Sequence, residues 1–204
     1  MTSPKEDWAS RVRDVYSRRA TDWDERRDRS LFERTWLDRF LEATPPGSAI
    51  LDLGCGGGEP ISGYMIDAGR SLTGVDFAPP MLAIARSRFP QATWVEVDMR
   101  DLNLGRTFGG VVSWGGFFHL NREEQRLALP RIARHVASPG ALLLTVGRED
   151  GEVYGCVADE PAPHASLSPE EYASILAKAG MRIDAFVPDD PACRGHSLLL
   201  ARKD

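Results

Sequence analysis

The sequence has no excess of basic residues, no closely spaced cysteine pair, no long apolar run and no glycine loop followed by lysine. Each absence narrows what the chain can do. With 25 Lys and Arg against 30 Asp and Glu, the formal net charge is -5. Neutralising phosphates requires a basic surface, so nucleic acid is disfavoured as a partner. Arginine is dense over residues 1–40, but Glu6, Asp7, Asp14, Asp22, Asp24, Glu25, Asp28, Glu33 and Asp38 are interspersed with it, as on a salt-bridged helical surface. The cysteines, Cys55, Cys156 and Cys193, are odd in number and never form a CxxC pair. That argues against a disulfide framework or a zinc site, and no metal is expected. No run approaches the roughly 20 apolar residues of a membrane span. The start, Met1 to Trp8, lacks a basic region followed by an apolar stretch, so no secretory signal is expected and the cytoplasm is the expected compartment. At 204 residues the chain is long enough for one α/β domain and short for two.

What is present centres on Ile50-Leu51-Asp52-Leu53-Gly54-Cys55-Gly56-Gly57-Gly58-Glu59-Pro60, a short apolar run that breaks into a glycine cluster. Glycines there let the backbone take positive φ and approach a ligand with no Cβ in the way. The spacing then removes the two common phosphate readings. A dinucleotide loop, G-x-G-x-x-G, would need glycine where Glu59 stands; a phosphate loop needs a Lys that does not follow. Asp76 ends the next apolar run, Leu72-Thr73-Gly74-Val75, twenty positions beyond Gly56. A carboxylate so placed beside a glycine turn suits a ribose diol. A loop carrying Asp52 and Glu59 with no cation between them suits a positively charged ligand better than a phosphate.

Elsewhere, Val12, Val15, Tyr16 and Arg19 share one helical face, and Leu31, Phe32, Trp36, Leu37, Phe40 and Leu41 another, which predicts two N-terminal helices ending before Pro45-Pro46-Gly47. Strands and helices then alternate: strand 49–53, helix from about 60, strand 71–75, helix 79–88, strands 93–97 and 109–113, helix 121–136, strand 140–147. That rhythm implies parallel strands with helical crossovers. Asn121 with Glu124, and Ser168-Pro169-Glu170-Glu171, read as capping boxes, and Gly180 closes the second helix. Met181–Val187 and His196–Leu200 have no helix between them and should pair antiparallel.

Asp52-x-Gly54-x-Gly56-x-Gly58 with Asp76 resembles motif I and the acidic loop of class I S-adenosylmethionine-dependent methyltransferases. The resemblance runs from about residue 48 to the C-terminus. It implies an α/β, Rossmann-like, seven-stranded, mostly parallel sheet of order 3-2-1-4-5-7-6, with an antiparallel C-terminal hairpin, helices on both faces and two extra N-terminal helices. The implied organisation is one domain over 1–204, with a helical cap at 1–44 and a core at 48–204. Val95-Glu96-Val97-Asp98-Met99 looks like the family's third strand and adenine loop, so Asp98 and Met99 would meet the adenine. Phe77-Ala78-Pro79-Pro80-Met81-Leu82 is similar to D-x-S-x-x-M-L after its Asp, with Phe77 and Met81 as apolar walls and Ala78 in place of the capping Ser. Phe108 to Leu120 resembles motif IV. It lacks that motif's frequent acidic residue and the Asn-Pro-Pro-Tyr form used on amide and base nitrogens.

Together these blocks look like the UbiE-like small-molecule methyltransferases, in which Val15-Tyr16-Ser17-Arg18-Arg19-Ala20-Thr21-Asp22-Trp23 would cover the methionine end of the cofactor. The implied cofactor is S-adenosylmethionine, with S-adenosylhomocysteine as product. Asp52, Gly54, Cys55, Gly56, Asp76, Phe77, Met81, Asp98, Met99, Trp114, Tyr16 and Trp23 are the implied binding residues. A competing role for Tyr16 and Trp23 is simply to pack a helix on the sheet.

The implied activity is methyl transfer to the O, N, S or C atom of a small molecule, whose partner set would include neither nucleic acid nor a membrane span. Monomer and homodimer both stand. His119 follows the fourth strand's glycine-rich end and is the candidate base, the alternative being a histidine hydrogen-bonded beneath the loop. The segment 148–167 is too long for a simple turn and sits where a substrate lid would lie, with Tyr154 and His164 as candidate substrate contacts. The competing function is a non-catalytic subunit that binds S-adenosylmethionine or S-adenosylhomocysteine for regulation.

Overall fold

The computed structural model describes residues 6–157 and 159–204; Met1–Lys5, the start of the segment read as lacking a secretory signal, lies outside the described residues. The elements run α1 (Glu6–Arg18), α2 (Ala20–Arg26), α3 (Arg34–Glu42), β1 (Ile50–Leu53), α4 (Ile61–Asp67), β2 (Leu72–Asp76), α5 (Pro79–Arg88), β3 (Thr93–Glu96), β4 (Phe108–Ser113), α6 (Arg122–Arg134), β5 (Val136–Val146), β6 (Gly151–Val157), β7 (Glu160–Ser166), α7 (Pro169–Ala177), β8 (Met181–Asp190) and β9 (His196–Lys203). A seven-stranded sheet has the order β3-β2-β1-β4-β5-β9-β8. Its first five strands in that order are parallel, and β9 pairs antiparallel with both β5 and β8. This is the expected topology, with β8 and β9 as the terminal pair because β6 and β7 form a separate antiparallel hairpin.

Alternation along the strands divides the core. Successive side chains point to opposite faces of a sheet. Leu51 and Leu53 of β1 and Leu142, Leu144 and Val146 of β5 therefore pack with α6 and α7 through Leu129, Ile132, Tyr172 and Leu176. Ile50 of β1 and Ala141 and Leu143 of β5 face the other way, onto α3, α4 and α5 through Trp36, Phe40, Met65 and Leu82. No helix among the described residues is long and apolar enough to cross a membrane.

Four local expectations are corrected. The N-terminal region holds three helices, because the chain breaks at Arg19 and again over residues 27–33. Strand β5 begins at Val136 rather than 140, since Pro139 falls in the register shift between Phe108 and Gly110, where a missing N–H is tolerated. The segment 148–167 is mostly the β6–β7 hairpin, not an irregular connection. The reciprocal capping box is present at Asn121 and Glu124; at Ser168 the hydroxyl caps Glu171 N–H, but the Glu171 carboxylate turns to Arg126 (2.5 Å).

Tyr172 ties the hairpin's return to α6. Its hydroxyl donates to Gln125 Oε1 (2.7 Å), accepts from Leu167 N–H (3.1 Å), and lies 3.1 Å from Ser166 Oγ, all in a buried site. Tyr172→Phe would leave a buried N–H and a buried amide oxygen without partners. An orphaned buried group costs about 1–3 kcal/mol. Urea unfolding is expected to show a loss of that size, and an unchanged midpoint would contradict this account of the network.

Candidate functional site

The glycine turn leaves β1 at the carboxyl edge of the sheet, where open α/β sheets present their binding crevices. Gly54 has φ 71° and Gly56 φ 53°. A Cβ on Gly54 would stand 3.3 Å from Gly116 Cα, and one on Gly56 would stand 3.3 Å from Trp23 Cζ3. Asp76, at the tip of β2, holds this turn in place. Its Oδ2 accepts from Gly56 N–H (2.9 Å) and its Oδ1 from Ala78 N–H (2.8 Å). The second bond pins the residue that precedes α5, whose first turn has no side-chain cap because Ala78 stands where a capping hydroxyl would be.

Tyr16, Trp23, Gly54, Gly56, Asp76, Phe77, Met99, Trp114 and His119 all line one cavity, together with Gly115 and Gly116. They come from the N-terminal helices, the β1, β2 and β4 ends and the loop after β3. Asp98 lines the adjoining small space beside Met99, Phe77 and His119. The other expected binding residues lie behind the wall. Asp52 is buried and accepts from Ser62 Oγ (2.6 Å). Cys55 is buried with its thiol toward Gly56 O (3.8 Å), and Met81 is buried beneath the cap with Ala20 and Ala78. Asp98 is engaged by Arg100, whose Nη2 donates to Oδ2 (2.6 Å) and whose backbone N–H and Nε both donate to Oδ1 (2.9 Å each), so it buttresses its loop. Tyr154 stands out on β6, 68% exposed, away from the cavity.

The electrostatics are those of buried acids and a neutral histidine. Burial raises Asp76 to about 6, against the pull of hydrogen bonds from Ala78, Gly56 and Phe77. Burial raises Asp52 to about 7, with the Asp76 charge adding to the rise and the Ser62 hydroxyl opposing it. At Asp98 burial is outweighed by the Arg100 hydrogen bonds, which hold its carboxyl below the usual range. His119 is pushed down to about 4, first by burial and then by His164.

His119 Nδ1 lies 3.1 Å from Pro163 O, and Nε2 lies 3.1 Å from Tyr16 Oη. A carbonyl only accepts, so Nδ1 carries the proton and the Tyr16 hydroxyl donates to Nε2. One imidazole thus joins α1, the β4 end and the hairpin. The same pieces are tied at the rim: Arg18 and Arg19 meet Glu160 (3.0 and 3.6 Å), and Arg26 meets Asp159 (2.5 Å). Pro163, Phe118 and the part-buried Arg27–Glu33 pair (2.5 Å) carried no sequence signal of their own, because their partners lie on separate elements of the chain or in a bend too irregular for a periodicity.

The residues present suit S-adenosylmethionine. A buried Trp114 indole N–H has no partner among the described residues, two carboxylates sit at and beneath the wall, and glycine backbone lines the floor. Space is the exception. With Trp23 over Gly56 the cavity measures about 40 Å³, whereas small-ligand sites need roughly 300 Å³ or more. The cap formed by α1 and α2 must lift for a nucleoside to enter.

Comparison with known proteins gives three findings. Residues 50–140 match the family described as a methyltransferase domain. The chain is 35% identical over 103 residues to a dTDP-3-amino-3,6-dideoxy-alpha-D-glucopyranose N,N-dimethyltransferase of Streptomyces fradiae, covering 50% of this chain and 40% of that protein. It is 30% identical over 142 residues to a probable tRNA methyltransferase 9B of Bos taurus, covering 66% of this chain and 28% of that protein. The chain therefore spans less than half the length of either relative. Among solved structures it resembles a Burkholderia thailandensis 1,6-didemethyltoxoflavin-N1-methyltransferase with bound 1,6-didemethyltoxoflavin and S-adenosylhomocysteine, with TM-score 0.74 and 20% identity, covering 100% of this chain and 92% of that one.

Proposed function

We propose that this chain, which has the class I methyltransferase fold and a methyltransferase-domain match over residues 50–140, moves the methyl group of S-adenosylmethionine to a small-molecule acceptor. One observation carries the reading. The Asp76 carboxylate grips Gly56 at the carboxyl edge of the sheet and faces the same cavity as Tyr16, Trp23, Phe77, Met99, Trp114 and His119. The cofactor, when bound, supplies a methyl group activated by a positively charged sulfur. The chain contributes binding, alignment and exclusion of water, which suffice for an in-line displacement. Asp76 and Asp98 border the space for the nucleoside, and Trp114 N–H offers a free donor. Asp52 and Asp76 add a negative field suited to a sulfonium.

His119 serves closure more than proton transfer. Its lone pair is held by Tyr16, so the cap seals the site through that bond. A small acceptor is favoured over nucleic acid by the net charge of -5, despite a tRNA-methylating relative. Free cysteines fit the cytoplasm.

Calorimetric titration with S-adenosylmethionine and S-adenosylhomocysteine, followed by a methyl-transfer assay, tests the reading. Binding of neither would end it. Tyr16→Phe removes one hydrogen bond of about 1 kcal/mol, so S-adenosylhomocysteine should dissociate about fivefold faster by stopped-flow tryptophan fluorescence, with the fold retained. An unaltered off-rate would remove the Tyr16–His119 bond from the closing of the cap.

A further inference from the structure

Two residues of the glycine turn have no part in the cavity. Gly57 and Glu59 line neither the main space nor the small one beside Asp98. Gly57 also lacks the positive φ of Gly54, Gly56 and Gly58, so its backbone conformation does not call for glycine. A neighbour does. A Cβ on Gly57 would fall 2.2 Å from Asp24 Oδ1 and 3.1 Å from Arg88 Nη1.

Asp24 comes from α2 and Arg88 from the last turn of α5, and they meet over the glycine turn as a fork. Arg88 Nη1 donates to Asp24 Oδ1 (3.0 Å) and to Gly57 O (2.7 Å), while Nη2 donates to Asp24 Oδ2 (2.8 Å). One guanidinium therefore grips the cap and the turn together. Arg29 closes the cluster, its Nη2 donating to Asp24 O (2.7 Å) and Oδ2 (2.9 Å) and its Nε to Glu59 Oε2 (2.5 Å). Arg88 Nε also approaches Glu59 Oε2 (3.7 Å). Two carboxylates face two guanidiniums, so Glu59 answers cations of this chain rather than a positive ligand.

Asp24 is 7% exposed, and burial by itself disfavours a carboxylate's charge. Here burial is outweighed by Arg88 and Arg29, which hold the carboxyl below its usual range. A bidentate pair of this kind fixes geometry as well as charge. What it fixes is the residue before Asp24. Trp23 lines the cavity and lies over Gly56, where a Cβ would stand 3.3 Å from Trp23 Cζ3. Seating Asp24 therefore seats Trp23.

We propose that Asp24, Arg88 and Gly57 form the latch that holds the cap over the cofactor site, and that its opening limits both entry and escape of S-adenosylmethionine and S-adenosylhomocysteine. The identity of these ligands rests on the methyl-transfer reading above. No side chain of the cluster lines the cavity, so it stabilises the closed cap alike with and without a ligand beneath. Breaking it lowers one barrier shared by both directions. The association and dissociation rate constants then rise together and Kd scarcely moves, whereas losing a contact to the ligand acts mainly on dissociation.

The experiment uses the full chain and two measurements. Stopped-flow tryptophan fluorescence gives kon and koff for S-adenosylhomocysteine, and hydrogen exchange of the unliganded protein reports opening of α2 (Ala20–Arg26). Asp24→Asn should raise both rate constants about tenfold, the scale of one hydrogen bond to a charged group, with Kd within threefold of the parent. Gly57→Ala keeps every charge and should do the same by displacing Asp24. Arg88→Lys, which keeps the charge without the fork, should lie between. Adding Arg88→Gln to Asp24→Asn should gain little more, because both remove the same pair. In Asp24→Asn and Gly57→Ala the amides of α2 should exchange about tenfold faster, with those of β4 and β5 unchanged. Unaltered rates and exchange in these two variants, or a koff that rises with Kd weakened in proportion, would overturn the latch. Should the parent bind neither ligand, the methyl-transfer reading falls, and hydrogen exchange alone decides whether the cluster holds the cap.

Discussion

Asp76→Ala is expected to weaken S-adenosylmethionine binding about a hundredfold or more while the protein stays folded. The carboxylate holds two backbone donors, Gly56 N–H and Ala78 N–H, from one buried position. Removing it leaves both without that acceptor, at about 1–3 kcal/mol for each buried group left unmet. The glycine turn can relax to rehydrate them, and relaxing destroys the shape that the ligand requires. A loss near 3 kcal/mol corresponds to about two decades in Kd. Stability should change far less, because the mutation also removes a buried acid already raised to about 6. Asp76→Asn should fall between, since its single carbonyl oxygen can serve only one of the two donors well. Calorimetry and urea unfolding on the same preparations separate the two effects. A Kd within threefold of the parent would show that Asp76 neither shapes the turn nor contacts the ligand.

The positions legible in the sequence were those where chemistry and backbone are specified locally. Gly54, Gly56 and Asp76 announce a turn and its acidic partner by spacing, and Phe77, Met99 and Trp114 follow strand ends that alternation locates; all line the cavity. Asp52 and Cys55 sit in the same motif yet face away from it, because on a strand end or tight turn a shift of one residue decides which side a side chain takes. The hairpin was hidden for a different reason. Its strands carry Gly151, Gly155, Pro161 and Pro163, which read as breakers. Pairing with each other alone, they need neither regular alternation nor donors on an outer edge. The His119 contacts to Tyr16 and Pro163 span 103 and 44 positions, distances over which one sequence holds no pairing information.

Asp52→Asn is expected to stabilise the unliganded protein at pH 8 by roughly 2–4 kcal/mol and to have little effect near pH 4. Asp52 is raised from 3.8 to about 7 by burial first and by Asp76 second. A carboxyl whose pKa is higher folded than unfolded binds more protons in the folded state, so it destabilises the fold as pH rises. The penalty is absent below about 4, grows between 4 and 7, and is complete above 7. A rise of roughly 3 pKa units corresponds to about 4 kcal/mol as an upper limit. Asparagine keeps an oxygen for Ser62 Oγ, now 2.6 Å from Asp52, and removes the charge. Urea unfolding at pH 4 and pH 8 measures the difference, and equal or lower stability of the variant at pH 8 would refute the assignment.

On the proposed function, the same charge gives an unfavourable acid beneath the cavity wall a use. A positive sulfur bound in the cavity that Asp76 lines would favour the ionised forms of Asp76 and of Asp52 behind it, whereas the neutral sulfur of the product would not. In the parent protein S-adenosylmethionine should therefore bind more tightly relative to S-adenosylhomocysteine as pH rises from 5 to 8. In Asp52→Asn that pH-dependent preference should shrink, leaving only the part due to Asp76. Paired titrations of both ligands across this range decide it. A preference that is flat with pH in the parent would mean that neither carboxylate senses the sulfonium.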